Sequence, residues 1–67
     1  MSVAKHIEIT ADSTKGFEDA IQQGIVTASK TVKGIRSAWV KDQQVLVEGK
    51  KVTTYRVNMK VTFVLEG

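Results

Sequence analysis

The most constraining feature is the run 52–65, where every second residue is apolar. Tyr55, Val57, Met59, Val61, Phe63 and Leu65 share one parity, and Thr54, Arg56, Asn58, Lys60 and Thr62 share the other. A period of two rich in β-branched and aromatic side chains specifies a β-strand with one buried and one polar face. At ~3.3 Å per residue such a strand is about 45 Å long. It needs at least one partner strand and something to cover its apolar side.

The partner precedes it. Residues 35–47 return to strand chemistry after Gly34, and Glu48-Gly49-Lys50 supplies a short turn into the run at 51–65. The phase of this first arm changes midway. Ala38 and Val40 face the core, and so do Val45 and Val47, which have the opposite parity. A bulge near Asp42-Gln43-Gln44 adds one residue and reconciles them. Trp39 then points away from the helix side, onto the polar face shared with Arg56 and Lys60.

Residues 3–10 alternate as well, with Val3, Lys5, Ile7 and Ile9 on one face, and predict a third strand. Ala11 to Gly16 reads as a connector, with Gly16 as N-cap and Ser13 or Thr14 as rivals. From Phe17 the spacing changes to three and four. Phe17, Ala20, Ile21, Gly24, Ile25, Ala28 and Val32 form one helical stripe, and Gly34 follows as a terminating C′ glycine. The expected architecture is α+β in the order β-α-β-β, with a three-stranded antiparallel sheet wrapped around one helix in a single domain, 1–67.

That helix, about 17 residues and about 25 Å long, is too short to cover a 45 Å strand. The chain has 67 residues, no cysteine and one histidine. So small a domain buries only about 60% of its unfolded surface, and disulfides and thiolate metal sites are excluded as reinforcement. Further copies of the chain are the remaining way to cover the apolar overhang and the open sheet edges. The net charge of +3 is spread over ten scattered Lys and Arg, which speaks against a nucleic-acid site. No signal-like or membrane-spanning apolar run is present, so a soluble cytoplasmic protein is expected. No nucleophile with a base, phosphate-cradling loop or paired acidic motif points to an enzyme.

Gly16-Phe17-Glu18-Asp19-Ala20 at the helix start, Ala28-Ser29-Lys30-Thr31 near its end and the closing run from Thr54 to Phe63 together resemble the dodecins over about residues 3–66. The resemblance implies a hollow homododecamer of 23 symmetry. It also implies flavin storage rather than turnover, with riboflavin, FMN or FAD held in pairs between tryptophans of symmetry-related subunits. A glutamine on the last strand meets the flavin's pyrimidine edge in that family. Here Ser37 falls at the stacking-tryptophan position, with Trp39 two residues on, and Arg56 falls at the glutamine position. Asp42 matches an acidic position that resembles a divalent-cation site, and a branch lacking the stacking tryptophan is associated with calcium.

The candidate flavin-binding residues are therefore Trp39, Ser37, Arg56 and Gln43, and the candidate metal ligand is Asp42. Each has a plainer alternative. Trp39 can pack in a subunit interface, where tryptophan is enriched. Arg56 can form an inter-subunit salt bridge with Glu48 or Asp42, and Gln43 can be a polar bulge residue. Asp42 alone supplies too few oxygens for calcium unless symmetry copies complete the shell. His6 and Tyr55 read as surface or packing residues. The alternative to flavin storage is a dodecin-like scaffold that binds a divalent cation or another small ligand.

Overall fold

The alternating run forms the central strand of the sheet. A computed structural model of the chain describes residues 3–65, which contain β1 (Val3–Ser13), α1 (Phe17–Ala28), β2 (Ile35–Glu48) and β3 (Lys51–Leu65). β3 pairs antiparallel with both other strands, in the order β1-β3-β2. The α+β, β-α-β-β arrangement is the one expected. Residues 1, 2, 66 and 67 of the expected 1–67 domain lie outside the described residues.

Central placement explains why β3 carries the core. Val57, Met59 and Val61 are fully buried and meet Ala20 of α1. Ile7, Ile9, Ala11, Phe17, Ile21, Ile25, Ile35 and Val40 pack around them. The helix lies over β1 and β3. Gly24 lets it approach closely: a Cβ there would stand 2.9 Å from Met59 Cε and 3.0 Å from Ala11 Cβ. Phe17 meets Tyr55 edge to face, with ring centroids 5.2 Å apart, a favoured geometry for aromatic pairs. Phe63 is only half-buried and lies at the margin of this core.

Four details differ from expectation. β1 continues through Asp12 to Ser13, opposite Arg56 and Tyr55, because the capping residues after Thr10 find partners there. The Ser13 hydroxyl accepts the Lys15 amide N–H at 2.9 Å and donates to Asp19 Oδ2 at 2.6 Å. Gly16 is the N-cap, as expected, without a side-chain cap bond.

The helix ends at Ala28, four residues before Val32. Ser29 donates its hydroxyl to the Ile25 carbonyl at 2.7 Å. The Lys30 and Thr31 amides then bond carbonyls three residues back, so the last turn tightens rather than propagates. Gly34 is not the helix terminator. Its φ of +79° presses it against β3, where a Cβ would stand 2.7 Å from the Val64 carbonyl oxygen, and its own carbonyl accepts the Val64 N–H at 3.0 Å. The bulge falls between Val40 and Asp42, at Lys41, one residue earlier than Asp42-Gln43-Gln44. Two further register shifts lie at Ile35/Ser37 and Leu46/Val47.

The molecule is 51 Å along its longest axis, whereas the 12 residues of α1 span about 18 Å. The expected overhang is present. Val45, Val47 and Val52, near the hairpin tip, remain exposed in the single chain.

Candidate functional site

The helix leaves the opposite face of the sheet open, and strand alternation places the chemistry there. Residues paired across neighbouring strands share a face, so the register lays out this surface row by row. His6, Thr62 and Ser37 form one row, followed by Glu8, Lys60 and Trp39. Next come Thr10, Asn58 and Asp42, and then Asp12, Arg56 and Gln44.

Three of these rows are tied between β1 and β3. His6 Nδ1 lies 2.9 Å from Thr62 Oγ1, and Thr10 donates its hydroxyl to Asn58 Oδ1 at 2.7 Å. Asn58 donates in turn to Asp42 Oδ1 at 2.5 Å, carrying the chain of bonds onto β2. Arg56 grips Asp12 with two parallel bonds, Nε to Oδ1 at 2.8 Å and Nη2 to Oδ2 at 2.9 Å. In the remaining row the bulged Lys41 reaches over β3 to Glu8.

These contacts set the titration behaviour. The hydrogen bond from Arg56 holds the Asp12 carboxyl below its ordinary range, against a smaller opposing effect of desolvation. The hydrogen bond from Lys41, with its charge, does the same for Glu8, and the Lys41 ammonium is raised in return.

Ser37, Trp39, Asp42 and Arg56 all lie on this face, as alternation predicts for Trp39 and Arg56. Gln43 does not. The bulge at Lys41 flips the parity behind it, so Gln43 falls opposite Val57 on the helix side and Gln44 takes the place beside Arg56. Within the chain, the partner of Arg56 is Asp12. Arg56 also stands four residues along β3 from the row of Trp39, about 13 Å away. Within one chain, Trp39 and Arg56 therefore do not meet a common ligand atom.

Trp39 is 72% exposed, a large apolar ring standing on an otherwise polar surface. Ser37 and Thr62 stand opposite one another in the next row, and Lys60 stands directly opposite Trp39. A flat π surface flanked by hydroxyls and one ammonium fits a planar heteroaromatic ring with polar edges. Among the described residues no three His, Asp or Glu side chains are grouped to hold a metal ion. Asp42 offers one carboxylate, with one oxygen already accepting from Asn58. Alternation shows that Lys60 shares this face with Trp39; its place directly opposite the ring depends on a register that no single strand reveals. The Lys41–Glu8 bridge was hidden for the same reason.

The family model for Dodecin matches residues 3–66. The calcium dodecin of Mycobacterium tuberculosis is 35% identical over 63 residues, covering 94% of this chain and 89% of that protein. A crystal structure of a Thermus thermophilus dodecin mutant superposes with a TM-score of 0.94 at 31% identity, covering each chain in full. The dodecin of Streptomyces davaonensis superposes equally well, TM-score 0.94, at 26% identity, covering 98% of this chain and 97% of its own. Fold, strand order and the match of nearly every residue agree, and this chain belongs to the dodecin family.

Proposed function

We propose that this protein binds and stores flavins without catalysing their turnover, as a homododecameric shell of this chain. The single observation that carries the reading is Trp39, held exposed on the open sheet face. Solvating an indole is unfavourable, and an apolar surface of that size is normally covered by a ligand or a partner. Stacking on an isoalloxazine covers it. The hydroxyls of Ser37 and Thr62 lie one row away to meet polar ring edges. Arg56, engaged by Asp12, serves as a brace that holds β1 on β3. A flavin sandwiched against indole and shielded from water is quenched and protected from photochemistry.

Self-assembly is part of this reading. Val45, Val47 and Val52 lie beyond the reach of α1, and copies of the chain supply their cover. A riboflavin titration followed by flavin fluorescence tests the proposal. Saturable quenching by the wild-type protein, lost in Trp39→Ala, is expected. Unchanged fluorescence at micromolar protein would overturn it.

One observation favours a second reading. Asp42 occupies the open face, and the similar Mycobacterium tuberculosis protein is a calcium dodecin. In that reading symmetry copies of Asp42 gather around a divalent cation. A calcium-dependent rise in melting temperature that disappears in Asp42→Ala supports it. No calcium response removes it.

A further inference from the structure

We propose that the helix-side face, at the end remote from the hairpin tip, is a peripheral docking patch for an anionic bilayer surface. The sheet overhangs α1 at this end too. Val3 and Leu65 oppose one another across β1 and β3, and both are exposed. Phe63 and Leu65 line a cleft with Val32 and Lys33 of the segment that follows α1. Lys5 stands opposite Phe63. It breaks the apolar parity of β1, a cation where Val3, Ile7 and Ile9 set the pattern.

The charge at this end has one sign. Lys5, Lys30 and Lys33 are exposed, and their ammonium groups form no hydrogen bond or ion pair among the described residues. The described carboxylates lie elsewhere. Glu8, Asp12 and Asp42 are on the open face, Glu18 and Asp19 are in the first turn of α1, and Glu48 adjoins the hairpin turn.

Two features together select the partner. Unpaired ammonium groups attract anionic headgroups, each lysine near such a surface strengthening binding about fivefold. Apolar side chains beside them gain by entering the boundary between headgroups and acyl chains, while lysine stems reach back to the headgroups. A small free anion would meet the lysines but leave Val3 and Leu65 in water. No described helix is long and apolar enough to cross a membrane, and the contact needs none, because it lies at the surface. Trp39 is on the other face of the sheet, so docking and flavin binding are independent.

Sedimentation of the assembled protein with lipid vesicles tests this. At low salt it is expected to bind vesicles of phosphatidylcholine mixed with phosphatidylglycerol, and not vesicles of phosphatidylcholine alone. Binding is expected to fade as salt rises to about 0.5 M, by screening. The double variant Lys5→Gln, Lys33→Gln is expected to weaken it about 25-fold or more, with the assembly unchanged by native mass measurement. Lys15→Gln, Lys50→Gln removes the same charge far from the patch and is expected to weaken it much less. Leu65→Ser is expected to weaken binding at every salt concentration. No binding to the phosphatidylglycerol vesicles, or equal losses from the two pairs of lysines, would overturn the proposal. Dissociation of the assembly by Lys5→Gln, Lys33→Gln would overturn it as well, by making the patch a subunit interface. A DNA duplex bound as tightly as the vesicles, through the same lysines, would overturn the lipid assignment.

Discussion

The two faces of one sheet obey different rules. On the helix side, Val57, Met59 and Val61 are sealed beneath Ala20 and Gly24, and only the hairpin tip and the far end of the sheet are left uncovered. On the open side, hydrogen-bonded rows run across the strands, and a tryptophan stands largely in solvent. The first face accounts for why the sequence folds. The second is built with polar ties that cost little to display and leave an aromatic surface for something else. The difference teaches where to seek function in a domain this small: on the face the core does not need.

The comparison is broken most forcefully at its buried side. Met59→Ala removes a fully buried side chain, which costs about 2–5 kcal/mol, a fall in Tm of roughly 10 °C or more. Trp39→Ala on the open face is expected to leave Tm nearly unchanged while abolishing flavin quenching. Equal destabilisation by both would show that the two faces are not distinct. Val47→Asp, at a position exposed in the single chain, is expected to release subunits without loss of strand signal in circular dichroism. An intact assembly by native mass measurement would show that the hairpin tip is not an interface.

The smallest effect concerns the ion pairs of the open face. Asp12 and Glu8 titrate below their ordinary values when folded. Their contribution is therefore complete above the unfolded carboxylate range, near pH 4, and is lost as pH falls through the depressed folded values. The double variant Asp12→Asn, Glu8→Gln is expected to flatten Tm against pH below about 5. An unchanged acid slope would show that these bridges do not stabilise the fold.

Much of the helix side was legible in the sequence, because its information is local. The alternation of β3 and the stripe from Phe17 to Ala28 each declare an element and a buried face. Boundaries were less legible. Asp12 and Ser13 look like connector residues until Arg56 and Tyr55 are placed opposite them. Val32 continues the helical spacing although the Lys30 and Thr31 amides have already turned to carbonyls three residues back. On the open side the face of Trp39 could be read from parity, but its neighbours could not. Which residue opposes Trp39, which carboxylate meets Arg56 and where Gln43 points all depend on register and on a one-residue bulge at Lys41. Those are set by pairing between strands, not by any strand alone.

The most direct test of the central claim is one native mass measurement, taken before and after adding riboflavin. A dodecamer that gains flavin mass, together with a Trp39→Ala dodecamer that gains none, is the predicted result. A wild-type dodecamer that never acquires flavin would contradict the account, as would a Trp39→Ala dodecamer that takes up as much flavin as wild type.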